Sequence, residues 1–226
     1  MNETLCDRRH RVMRKLGFTL AERIGQGSTS YVYAVAEDRS YCVKLYTHKA
    51  GTGAAQLKAM CLREAGVLRL LEARNVTAPR LHPRCADADC ASALLLVMQR
   101  GVHPSAGTWV NDPAALATII AHATRALVAA LSAGVAHPEP FYRHIVSLPG
   151  ERWSFCDWAP TSDVSTDCAG GDTHCCEPAV TLRRWGATLR GVARRHGSTH
   201  VMQGEALEIM RTVCHNTASV SRSCTM

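Results

Sequence analysis

Two glycines and one lysine give this sequence its first chemical signal. In Ile24-Gly25-Gln26-Gly27-Ser28-Thr29-Ser30-Tyr31-Val32, Gly25 and Gly27 frame a turn between two runs of strand-like residues. A backbone without Cβ atoms there can close on a phosphate and offer its amides to the oxygens. Taken alone, the same residues also describe an ordinary β-turn. Lys44 ends the next apolar run, Tyr41-Cys42-Val43-Lys44, and is one of only four lysines, with Lys15, Lys49 and Lys58. Two cysteine groups carry ligand chemistry: Cys85 with Cys90, and Cys168 with His174, Cys175 and Cys176. The second could hold zinc, although neither repeats the paired C-x2-C spacing of zinc sites. Arg8, Arg9, Arg11, Arg14 and Lys15 make residues 1–17 basic. That run suits nuclear import, nucleic acid, or a solvated extension.

Composition narrows the classes. With 46% hydrophobic and 20% charged residues, 226 residues can bury a core, which excludes a disordered chain. The net charge of +7 favours acidic, phosphorylated or nucleic-acid partners, and equally serves solubility. Eleven cysteines, an odd and irregular set, follow a polar N-terminus with no secretory hydrophobic region. Reduced thiols in the cytoplasm or nucleus are therefore expected. No membrane span is expected, because the longest apolar run, 114–131, is interrupted by His122 and Arg125 and a span needs about 18 residues.

The elements that must position these residues follow from pattern. Residues 18–24, 31–36 and 41–46 alternate as strands, the last two joined by the polar turn Glu37-Asp38-Arg39-Ser40. After the Gly51–Gly53 break, residues 54–73 carry a helical stripe of Leu57, Cys61, Ala65, Leu68 and Leu71. A short strand is expected at 76–81, a polar loop at 83–92 and a buried strand at 93–99. Asn111-Asp112-Pro113 caps a helix over 114–133 that stops at Gly134. A strand at 152–156 and helices at 181–193 and 204–215 complete the chain before a Ser/Thr-rich tail.

In this order the elements resemble the protein kinase family. The turn matches its G-x-G-x-x-G-x-V loop, with Ser30 at the third glycine, and Tyr-Cys-Val-Lys matches its Val-Ala-Ile-Lys. The resemblance implies that Val32 covers a nucleotide base and that Lys44 holds the α and β phosphates. Glu64, 20 residues after Lys44, would pair with its ammonium. Met98 would stand as gatekeeper, and Gln99-Arg100-Gly101 would offer backbone groups to an adenine. Gly134-Val135-Ala136-His137-Pro138-Glu139-Pro140-Phe141-Tyr142-Arg143-His144-Ile145-Val146 is similar to the catalytic loop, with altered chemistry. Glu139 replaces the catalytic aspartate, Phe141 a common lysine, and His144 the magnesium-binding asparagine. Asp157-Trp158-Ala159, 18 residues after Glu139, stands at D-F-G, which makes Asp157 a magnesium ligand. His144 occupies the second metal position, yet magnesium prefers oxygen. Thr181 falls where the family has an aspartate that supports the loop.

The resemblance implies an α+β, two-lobed kinase-like fold, with a five-stranded sheet plus one helix ahead of an abbreviated helical lobe. The expected divisions are a basic extension at 1–17, a first lobe and hinge at 18–101, a second lobe at 102–215 and a tail at 216–226. ATP, with magnesium, is the implied cofactor. The eroded loop implies a pseudokinase or weakly active regulator that binds a protein partner. Two alternatives stand beside it: an active atypical Ser/Thr kinase with Glu139 as base, and a basic binding module for nucleic acid or protein. The compact, arginine-rich form is similar to kinase homologues of large DNA viruses, herpesviruses especially.

Overall fold

Four antiparallel strands carry the glycine turn and the lysine: β1 (Leu20–Gln26), β2 (Ser30–Val35), β3 (Tyr41–Tyr46) and β4 (Leu95–Gln99), in the order β1-β2-β3-β4. The structure is a computed structural model that describes residues 3–47, 51–85, 87–104, 112–150, 152–158 and 178–196. The chain divides into two compact units, 1–73 with 79–101, and 74–78 with 102–226. The expected helix at 204–215, Ala159, the tail and the Cys168–Cys176 group lie outside the described residues.

In the first unit, α1 (Leu5–Leu16) begins with a reciprocal cap. The Thr4 hydroxyl accepts from the Asp7 amide at 3.2 Å, and the Asp7 carboxylate accepts from the Thr4 amide at 3.1 Å. Gly17, at φ +75°, ends the helix in the left-handed conformation that glycine adopts without steric cost. Its apolar side, Val12, Met13 and Leu16, enters one core with Val35, Val43, Leu95 and Val97. Residues 5–16 are therefore a packed helix, which corrects the reading of 1–17 as a solvated extension. Part of the basic charge is also paired, Arg11 to Glu3 and Lys15 to Asp89.

α2 (Ala54–Ala73) buries the expected stripe together with Met60 and Glu64. Burying each such leucine fully contributes about 1.5–3 kcal/mol, enough to fix the rotation of the helix. The strand expected at 76–81 is reduced to a single bridge, Leu81 to Met98, so the sheet has four strands where five were expected. Pro79 and Pro83 flank it, and proline supplies no amide to extend a ladder. The expected polar loop instead holds the short helix α3 (Asp87–Ser92). Its turn brings Cys85 and Cys90, both buried, to a Cα–Cα distance of 6.3 Å, and they form a disulfide. Wholly reduced thiols were expected, so this pair is a correction; Cys6 and Cys42 are free thiols.

The second unit is built on α4 (Pro113–Ser132), the hairpin β5 (Ile145–Leu148) and β6 (Arg152–Phe155), and α5 (Pro178–His196). Asp112 caps α4, accepting from the Ala115 amide at 2.9 Å, with Pro113 at the first turn. Leu116, Ile119, Ile120 and Leu127 are buried. Over Ala114–Ser132 the helix is, by length and composition alone, long and apolar enough to cross a membrane, and 56% of that stretch is buried within the protein. Trp185 of α5 joins this core, donating to the Thr124 hydroxyl at 3.0 Å and meeting the Phe155 ring edge-on at 5.2 Å.

Candidate active site

In the first unit, antiparallel pairing sets the glycine turn directly. Gly25 stands opposite Val32, and the Gly27 amide donates to the Ser30 carbonyl at 2.9 Å. A Cβ on Gly27 would lie 3.2 Å from the Ser30 hydroxyl, and one on Gly25 3.4 Å from Val32 Cβ. The missing side chains thus leave the turn room to close on a phosphate. Lys44 stands opposite Val32 on one side and Leu96 on the other. Its ammonium lies 2.7 Å and 3.0 Å from the two Glu64 carboxylate oxygens. Lys44 is 7% exposed and Glu64 1%. The expected pair is formed in a dry setting, where an unmatched charge would be costly.

The structure adds a residue that pattern reading missed. The Tyr46 hydroxyl, fully buried, donates to Oε2 of Glu64. Its signal was available in the sequence: Tyr46 lies two residues beyond Lys44, so a strand projects both from one face. Cys42, the small residue of the Lys44 strand, has its thiol pushed up to about 12 by burial. It stays protonated and inert.

The expected adenine contacts fare differently. Met98 is buried opposite Cys42. The Gln99 amide already donates to the Arg80 carbonyl at 2.8 Å, and its side chain accepts from the Arg80 amide at 3.2 Å. The Arg100 amide donates to Ser40. An adenine would have to use the carbonyls of this stretch or the Gly101 amide rather than those two amides. The residues present fit a nucleotide's phosphates better than its base.

In the second unit, His137 organises the loop. It is 1% exposed, and its ring meets Trp158 edge-on at 4.7 Å. The Glu139 amide can only donate, so Nδ1 accepts it at 3.1 Å and Nε2–H donates to the Cys156 carbonyl at 2.9 Å. Three side chains of α5 hold successive stretches of the loop by its carbonyls. The Thr181 hydroxyl donates to His137 O at 3.2 Å and the Arg184 guanidinium to Pro138 O, while the Thr188 hydroxyl shares its proton between Pro140 O at 3.2 Å and Arg184 O of its own helix at 3.1 Å. Thr181 thus supports the loop from the position where an aspartate was expected to do so.

The Glu139 carboxylate is engaged by Arg143 at 2.9 Å, and the same guanidinium lies 5.0 Å above the Phe141 ring. Arg143 thus brings a cation beside Phe141, the position where a lysine is missing, and it drew no role from the sequence. An arginine only donates, so its 3.3 Å contact makes His144 Nε2 an acceptor, and Nδ1–H donates to Glu139 O at 2.6 Å. The lone pair of His144 therefore faces a guanidinium, a poor setting for a second cation. Asp157 is exposed, with φ +62°, a left-handed backbone uncommon outside glycine. It presents one hard oxygen ligand beside the buried Trp158. No group of three His, Cys, Asp or Glu residues able to hold a metal occurs among the described residues. Asp157 fits magnesium, and His144 does not.

The strand sheet with its buried Lys–Glu pair in the first unit, and the His-centred loop and hairpin in the second, are features of a kinase-like fold. The Phosphotransferase enzyme family (APH) matches residues 21–205, and this chain belongs to that family. Among solved structures, it is similar to the MAP kinase LmaMPK10 from Leishmania major, at 16% identity and a TM-score of 0.52. The match covers 83% of this chain and 60% of the kinase, so this chain spans less than two thirds of it. At that identity the likeness concerns the fold. No curated protein matches the sequence.

Proposed function

We propose that this chain binds a nucleoside triphosphate through Gly25, Gly27 and Lys44 and serves as a regulatory, transfer-deficient member of its family. The observation that carries this reading is the contrast between Lys44–Glu64, formed and buried, and His144, whose two nitrogens are both engaged in the loop. Arg143 on Glu139 is the smaller obstacle. A partly exposed pair of this kind is worth about 0.2–1 kcal/mol, so it withholds the carboxylate by roughly fivefold at most. The loss of the second oxygen ligand weighs more, as does the extra methylene of Glu139, since a displacement of about 1 Å at a reacting group can cost ~10²-fold. Asp157 would hold magnesium, and the partner would be a protein. An active Ser/Thr kinase using Glu139 is the competing reading, favoured by how firmly α5 holds the loop.

Labelled ATP and a thermal shift separate the two. ATP should raise the melting temperature of the native chain and leave a Lys44→Met/Glu64→Gln control, which removes both charges together, unmoved. Label incorporation should be absent from the native chain and gained in Glu139→Asp/His144→Asn. Incorporation by the native chain that the control abolishes would overturn the transfer-deficient reading.

A further inference from the structure

Lys44 and Tyr46 face α2 from the same side of β3, and the carboxylate between them is more completely held than a two-residue pair requires. Lys44 reaches both oxygens of Glu64, and the Tyr46 hydroxyl adds a second donor to Oε2. The Tyr46 ring also lies 5.4 Å from the Lys44 ammonium. Tyr46 is itself clamped through its main chain. Its amide donates to Leu94 O at 2.9 Å, and its carbonyl accepts from the Arg9 guanidinium of α1, which also donates to Ala93 O at 3.1 Å.

We propose that Tyr46 is the positioning residue of the Lys44–Glu64 pair, and that α1, through Arg9, fixes the strand end that carries it. A phosphate competes with Glu64 for the ammonium, whereas a neutral hydroxyl anchored on the strand serves the carboxylate whether or not phosphate is present. Glu64 then stays in place while Lys44 is shared. The N-terminal helix thereby acts on the nucleotide site through Tyr46: Arg9 to the Tyr46 carbonyl, the Tyr46 hydroxyl to Glu64, and Glu64 to Lys44. This function rests on the nucleotide-binding reading; the geometry itself can be read without nucleotide.

The test is limited acetylation of the full chain by acetic anhydride, with Lys44 followed by peptide mass spectrometry against Lys58 as internal standard. Tyr46→Phe removes one oxygen and keeps the ring. Lys44 acetylation should rise about tenfold in that variant, the scale of a hydrogen bond to a charged group, when read well below its melting temperature so that global unfolding does not contribute. Arg9→Ala should give a smaller rise of the same sign. In parallel, Tyr46→Phe should weaken ADP and leave adenosine affinity unchanged, since only the phosphates use Lys44. If the ring alone matters, Phe is equivalent, Lys44 acetylation is unchanged, and the inference is overturned. A native chain that binds neither ADP nor ATP would sink the proposed function, and the acetylation result would still decide the role of Tyr46.

Discussion

Two ion pairs of nearly equal length, Lys44–Glu64 at 2.7 Å and Glu139–Arg143 at 2.9 Å, sit in very different surroundings. The first joins β3 to α2, with side chains 9% and 1% exposed. The second spans one local turn, with Arg143 61% and Glu139 35% exposed. In the first, water is gone and each charge depends on the other, with Tyr46 as a further donor. In the second, water competes with the partner and either side chain can leave at little cost. Contact distance does not distinguish a committed pair from an adjustable one; burial does. The Lys44–Glu64 pair is thus held by the fold, while the Glu139 carboxylate is held by a neighbour it can release.

The largest expected effect tests that difference directly. Lys44→Met should destabilise the chain by about 3–5 kcal/mol, because it strands the buried Glu64 carboxylate. Glu139→Ala should cost no more than about 1 kcal/mol. Urea unfolding of both variants checks this, and equal losses would remove the distinction. An intermediate effect belongs to the scaffold of the loop. Thr181→Val keeps the shape and deletes the donor to His137 O, leaving a buried carbonyl short of a partner. It should cost about 1–3 kcal/mol and speed hydrogen exchange at the Glu139 amide, which hydrogen-bonds to the same histidine. Unchanged exchange would mean that the remaining anchors, Arg184 and Thr188, suffice. The smallest effect is expected for Arg143→Ala: stability within about 0.5 kcal/mol of the native chain. In the Glu139→Asp/His144→Asn background its effect on label incorporation should stay within about fivefold. A larger loss there would assign Arg143 the work of the missing lysine.

The sequence by itself determined the parts that depend on local rules. Alternation set three of the four main strands, a 3.6-residue stripe set α2, the Asp112-Pro113 cap set the start of α4, and the glycines at 25 and 27 set the turn ahead of Lys44. Glu64 could be placed only through family spacing, since by pattern it reads as a solvent-facing helix residue. Tertiary structure decided the rest. Whether residues 5–16 float or pack depended on a groove that the sheet and α3 create for Val12, Met13 and Leu16. Cys85 and Cys90 became partners only because α3, which carries Cys90, turns it back toward Cys85. Tyr46, Arg143 and Thr181 acquired roles only when elements distant in sequence, or a turn of unread geometry, brought a donor to an acceptor. The physical reason is range. Backbone propensity and hydrophobic period act over a few residues and are written locally. Desolvation of a charge, and the partner that compensates it, exist only once the chain has closed around them.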